Sequence, residues 1–392
     1  MKSIRQVPTR HLIGVVAGSA VAVTAGGAIA IAAASGGSTP PPKHLDRAVH
    51  DALTAKKVAG VSARVHFTNH LVDSSGLGAG GPLLSGADGR LWVSSDGRMR
   101  LELQSADGSG GDAQAVIDGR RAELYDPSSN TIYRATLPPD RPHKEAAHAP
   151  PGIARIDAAL RRLSAYAGLS APQPGNTAGR PSYSVRATPK SSAGLLGAVS
   201  VTWDASTGVP LKGSVDARGS SSPVLELEAT HITYGPVADS VFSIATPKGA
   251  KVMDTGTSKR PGRDSKRSPE ITGVSAVSKA VGFSVAAPDR LAGLRRSAVR
   301  LVGGSGHAAA LVTYGRGLGA IAVLQSRGSD AAGSSAHKEG QPSLPKVTVD
   351  GMPAQELRTA LGTVIRFHKG AIAYTVVGSV APSTAAAAAG GL

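Results

Sequence analysis

Gly60-Val-Ser-Ala-Arg-Val-His-Phe-Thr68 and Arg98-Met-Arg-Leu-Glu-Leu-Gln104 decide the fold class. In the first stretch Val61, Ala63, Val65 and Phe67 alternate with Ser62, Arg64, His66 and Thr68. In the second, Met99, Leu101 and Leu103 alternate with Arg98, Arg100, Glu102 and Gln104. A period of two places the apolar members on one side of a strand and the polar members on the other. Ser95-Asp-Gly97 joins the second stretch to the strand-like run 89–94, and an Asp-Gly pair there is a hairpin turn. The pattern is that of an antiparallel sheet with one dry face.

Working outward, Gln114–Ile117, Arg121–Tyr125 and Thr131–Leu137 read as further strands, with Asp118-Gly119 and Asp126-Pro-Ser-Ser-Asn130 as turns. Four more follow at Tyr183–Thr188, Ala198–Asp204, Leu211–Ala217 and Val224–Tyr234, and the 241–249 segment closes the unit. Two stretches change to helical spacing. Leu45, Val49, Ala52 and Leu53 mark a helix over His44–Ala59, and Ile153, Ile156, Leu160 and Leu163 mark another over Ile153–Leu169. Residues 44–253 thus form one α+β domain. Residues 254–270, with Lys259, Arg260, Arg263, Lys266 and Arg267, read as a basic linker, and 271–392 as a smaller α+β domain. In that second domain a helix is expected near Gln355–Leu361, and another in the Ala-rich tail from Thr384.

The chain has 392 residues, which suits two domains. At 1–43, Lys2, Arg5 and Arg10 precede an uncharged run from Leu12 to Ala34, followed by Pro40, Pro41 and Pro42. Basic, then apolar, then small is the order of an export segment. It reads either as a signal peptide, cleaved at a site such as Ala28-Ile-Ala30, or as a retained membrane anchor with its positive end inside.

The composition removes several functions. With no cysteine, disulfides, thiolate metal sites and a cysteine nucleophile are excluded. A formal charge of +16 would suit nucleic acid, but only 3% of residues are aromatic, too few for a stacking surface, so no nucleic-acid partner is expected. His66/His70, His44/His50 and His143/His148 lack a third ligand nearby, so neither a metal nor another cofactor is expected. Glu226 and Glu228 sit two apart on one strand face, whereas glycosidic chemistry needs carboxylates opposed across a cleft. Gly315-Arg-Gly-Leu-Gly319 is followed by the strand-like Ala320–Leu324, so it is a hairpin and not a phosphate loop. No nucleophile and base are placed for a hydrolase. A non-enzymatic binding protein is expected.

The strand-and-turn signatures Val116-Ile-Asp-Gly-Arg120, Glu123–Thr131, Val201–Leu211 and Val241–Gly249 resemble those of the lipoprotein-carrier (LolA-like) superfamily. Within it they resemble the exported actinobacterial branch labelled outer-membrane lipoprotein carrier or RseB/MucB-like. The resemblance spans about Leu45 to Val252. It implies a curved antiparallel half-barrel whose concave face is lidded by helices and holds a lipid or a lipoprotein acyl chain, in the cell envelope, at or near the membrane. On this sequence the lining would be Val65, Phe67, Met99, Leu101, Leu103, Val201, Trp203, Leu225 and Leu227. The alternative implied by the same family is an envelope-stress regulator that contacts an anti-sigma factor.

Overall fold

The computed structural model describes residues 39–72, 86–104, 112–127, 129–137, 152–257, 271–303, 308–328 and 345–392. The apolar run Leu12–Ala34, the Gly76–Gly81 loop, the 138–151 loop and the basic cluster Lys259–Arg267 lie outside them.

Among the described residues the chain is α+β, built mostly of strands with four helices, and antiparallel sheet curls into a half-barrel. Helix α1 (Leu45–Thr54) leads into β1 (Gly60–Asn69), β2 (Ala87–Ser94), β3 (Met99–Gln104), β4 (Ala113–Asp118), β5 (Arg121–Asp126) and β6 (Thr131–Thr136). Helix α2 (Ile153–Ser164) packs against α1 and is followed by β7 (Ala167–Leu169), β8 (Gln173–Thr177) and β9 (Arg180–Pro189). Next come β10 (Leu196–Asp204), β11 (Pro210–Ala217), β12 (Leu225–Tyr234) and β13 (Lys251–Thr257). These thirteen strands form one sheet in the order β13-β6-β5-β4-β3-β2-β1-β12-β11-β10-β9-β7, with β8 also on β9. All neighbours are antiparallel except β13, which runs parallel to β6 at the edge.

The alternating pattern sets the register. Val61, Ala63 and Val65 of β1 oppose Val93, Leu91 and Gly89 of β2, and these oppose Met99, Leu101 and Leu103 of β3. The pairing shifts at Arg64/Val65 and at Thr202/Trp203. An extra residue on one strand bends it and increases its twist. At Gly89 the neighbouring strand comes so close that a Cβ would sit 2.0 Å from the Glu102 carbonyl oxygen.

The second sheet holds β14 (Arg290–Leu291), β15 (Leu294–Val302), β16 (Ala309–Tyr314), β17 (Ile321–Arg327), β18 (Lys346–Val349), β19 (Met352–Thr359), β20 (Gly362–Lys369) and β21 (Ile372–Gly378). Its order is β14-β15-β16-β17-β21-β20-β19-β18. Helices α3 (Val274–Val281) and α4 (Pro382–Gly390) cover its apolar face, where Val277, Val312, Tyr314, Ile365, Val376 and Ala385 form one core.

Two expectations need correction. The segment Gln355–Leu361 is not helical: it is the end of β19 and the turn after it. Ala354 and Glu356 are buried and Gln355 is exposed, which is strand alternation. The linker expected from residue 254 begins later, because 254–257 belong to β13. The Ala-rich tail is helical as expected, as α4.

Candidate functional site: a slot on the apolar face

Register places all nine sequence-predicted lining residues on one face of the first sheet, because paired residues of an antiparallel ladder point the same way. They do not form one patch. Val65 and Leu103 are buried in a central cluster, with Phe67, Met99, Leu101 and Leu227 packed against it. Trp203 lies beneath α1, beside Tyr183, with ring centroids 6.2 Å apart; Ala48 and Ala52 of the helix cover both. Leu225 packs with Val215 and Val199 at the other end of the strands. Val201 joins none of these clusters and is 40% exposed.

The exposed Val201 has a specific neighbour. Gly213 of β11 is its partner in register, Val185 of β9 is its partner on the other side, and Leu227 of β12 follows Gly213. A Cβ built on Gly213 would meet nothing within 4 Å, so the space above this row is open. The result is an apolar slot with Val201 and Gly213 as its floor. One wall is Trp203 and Tyr183 under α1. The other is the row Val199–Val215–Leu225, on which Ala360 and Leu361 from the β19–β20 turn are packed. Trp203 and Val199 are four residues apart on β10, so the walls stand roughly 13 Å apart along the strand.

The first wall is held by several polar contacts. The Tyr183 hydroxyl donates to the Pro41 carbonyl oxygen at 2.5 Å, and Lys43 lies over the Tyr183 ring, 5.7 Å from its centroid. Lys43 also pairs with Asp51 of α1 at 2.7 Å. Its hydrogen bond holds the Asp51 carboxyl below its ordinary value, against the opposing pull of burial. The N-terminal spacer is thereby strapped to the helix and to the sheet.

The opposite face of the same strands is charged. Lys212 bridges Glu226 and Glu228, and Arg186 pairs with Asp216. The two glutamates therefore belong to a cross-strand ion-pair network and share one cation, Lys212. A cleft of about 430 Å³ at the β4–β5 turn is lined by Asp118, Arg120, Arg121 and Thr136, a charged setting unsuited to an apolar chain. His66 is committed to Asp88 at 2.8 Å, and among the described residues no group of three His, Asp or Glu side chains could hold a metal ion. Among the same residues no helix is long and apolar enough to cross a membrane.

No family model matches the chain, and no curated protein matches it. Three solved structures similar to it are as follows. MucB in complex with MucA(peri) is 15% identical, with 88% of this chain and 95% of that chain covered and a TM-score of 0.41. The MucA/MucB complex of Pseudomonas aeruginosa gives the same identity and coverage with a TM-score of 0.40. An outer membrane lipoprotein-sorting protein domain from Vibrio parahaemolyticus is 12% identical, covering 51% of this chain and 96% of that one, with a TM-score of 0.25. At such scores the likenesses bear on neither ligand nor partner.

Reading the sequence alone misses two residues of the slot, Gly213 and Leu361. Gly213 carries a signal, since a glycine inside a strand pattern marks an unfilled position or a close approach. Leu361 carries none, because its role depends on contact between distant parts of the chain.

Proposed function

We propose that this is an exported, membrane-associated binding protein that holds a lipid or lipoprotein acyl chain in the slot above Val201 and Gly213. The observation that carries the reading is the open space over Gly213, bounded by two apolar walls, among strands whose neighbouring apolar rows on that face are packed. A side chain as exposed as Val201 between two covered rows leaves apolar surface that a ligand can remove from water. Each methylene so buried contributes about 0.8 kcal/mol, so a stretch of about ten gains roughly 8 kcal/mol before the entropy of ordering it. Export is supported by Lys2, Arg5 and Arg10 ahead of the apolar run Leu12–Ala34.

Gly213→Phe tests the reading directly. Gly213 has no left-handed backbone conformation, and the added ring enters empty space, so the sheet tolerates it. Native mass spectrometry of full-length protein purified from cell membranes should show a lipid adduct on the wild type and none on Gly213→Phe. An unliganded wild type, or equal adducts on both proteins, overturns the reading.

A further inference from the structure

The geometry points to a composite site: the second sheet supplies one wall of the slot through Leu361, so slot occupancy and docking of the two sheets are coupled. This rests on the lipid-holding reading above.

The two sheets meet through turns. The Ala360 N–H donates to the Leu71 carbonyl oxygen at 2.8 Å, and the Leu195 N–H donates to Ser379 Oγ at 3.0 Å. Gly319 and Gly194 let the β16–β17 turn pass close to the 193–194 turn: a Cβ on Gly319 would lie 2.5 Å from that of Ala193, and one on Gly194 2.9 Å from the Leu318 carbonyl oxygen. The apolar part of the contact is small and lies at the wall, where Ala360 and Leu361 pack against the cluster of Val215, Ala217 and Val224. A contact made of turns and one apolar tip has the character of the inter-domain interfaces that shift.

The tip lies one row from the slot. Leu225–Val215–Val199 is two residues along each strand from Leu227–Gly213–Val201, a step of about 7 Å. Leu361 packs against the cluster that holds Val215, a member of the row bordering the open floor, and withdrawing it would uncover that side of the row and widen the slot toward solvent. By linkage, a ligand that contacts the tip favours the docked arrangement, and docking strengthens the ligand's hold by the same factor.

The chain has no cysteine, so an introduced pair forms the one possible disulfide. A single 2.8 Å hydrogen bond runs from the Ala360 N–H to the Leu71 carbonyl oxygen, so the two backbones lie side by side and a cysteine pair there can be tested as a staple. In full-length Leu71→Cys/Ala360→Cys, release of fluorescently labelled palmitate should slow about tenfold on oxidation and return to the wild-type rate with dithiothreitol. Leu361→Ser should weaken palmitate binding about tenfold while circular dichroism stays that of the wild type. If palmitate binds the wild type and is lost in Gly213→Phe, yet neither the staple nor Leu361→Ser changes it, the composite wall is wrong and the slot stands. If wild-type protein binds no palmitate, both fail together.

Discussion

The Tyr234 hydroxyl donates a 2.7 Å hydrogen bond to Oδ2 of Asp204, the same oxygen that accepts Nε–H of Arg180 at 2.8 Å. Asp204 is fully buried, its other oxygen accepts the Ser206 and Thr207 N–H groups, and the Arg180 guanidinium lies over the Tyr234 ring. Three separate stretches, the start of β9, the β10–β11 turn and the end of β12, are thus tied at one carboxylate. The knot fixes the turn against which α1 rests.

Burial pulls the Asp204 carboxyl upward, but hydrogen bonds from Arg180, Tyr234 and Ser206 outweigh it and hold the group below its ordinary 3.8. A carboxyl lowered on folding contributes stability above about pH 4 and loses it as pH falls through its folded value. Urea midpoints should therefore drop below pH 4 in the wild type, and less steeply in Asp204→Asn. At pH 7, Asp204→Ala should cost about 3 kcal/mol, because it leaves the guanidinium and two turn N–H groups without their acceptor. Equal acid sensitivity of wild type and Asp204→Asn would contradict this account.

Gly208, in the same turn, has φ +68, and a Cβ there would lie 2.2 Å from the Ala52 carbonyl oxygen of α1. Gly208→Ala combines left-handed strain of about 1–2 kcal/mol with a backbone clash that only movement of α1 relieves. Trp203 lies beneath that helix and the chain has one other tryptophan, Trp92. The expected outcome is a lower Tm and a red-shifted emission that disappears in Gly208→Ala/Trp203→Phe.

How much of this was legible in the sequence follows from what each feature depends on. The face of β1, β2 and β3 was legible because alternation is local and burial of one side fixes the register. β8 was not: Gln173-Pro-Gly-Asn-Thr177 has no apolar alternation, and it is a strand only because β9 offers it an edge, where proline is tolerated. Gln355–Leu361 reads as a helix from the sequence. In the structure Leu357 is in β19 and Leu361 is past its end, on the other sheet's wall. The lining was legible as a set, since all nine residues share a face, but not which of them are covered. At the two walls that is decided by α1 and by the β19–β20 turn, which arrive from well over a hundred residues away in either direction.

In the second sheet Gln325 is fully buried, and its amide brackets the backbone N–H and C=O of one residue, Ala286. Its Oε1 accepts the Ala286 N–H at 2.8 Å, and its Nε2 donates to the Ala286 carbonyl oxygen at 2.7 Å. The segment between α3 and β14 has no strand partner there, so the side chain stands in for one. Gln325→Leu keeps the volume and strands both backbone groups, for a cost of about 2–4 kcal/mol in chemical denaturation. Gln325→Glu should recover part of that loss in acid, where a protonated carboxyl again offers both a donor and an acceptor. A neutral Gln325→Leu would show that the bracket is dispensable.

Lys212 provides the last test, on the polar side of the slot's own strands. Its Nζ lies 2.8 Å from Glu228 Oε2 and 3.0 Å from Glu226 Oε1, so one cation is shared by two carboxylates on the strand next to it. Burial alone would lower the ammonium's pKa, but the hydrogen bonds it donates to Glu228 and Glu226 raise it above its ordinary 10.5. A lysine raised on folding contributes stability in full below 10.5, and that contribution is lost as pH climbs through the folded value. Lys212→Met leaves the two carboxylates facing each other without their cation, and should cost about 1 kcal/mol at pH 7. The deficit should shrink as the solution is taken below about pH 4, where glutamates take up protons. Because Lys212 and Gly213 are adjacent and point to opposite faces, the substitution should leave palmitate binding unchanged. A loss of binding in Lys212→Met at full stability would mean that the charged face, and not the slot, holds the ligand.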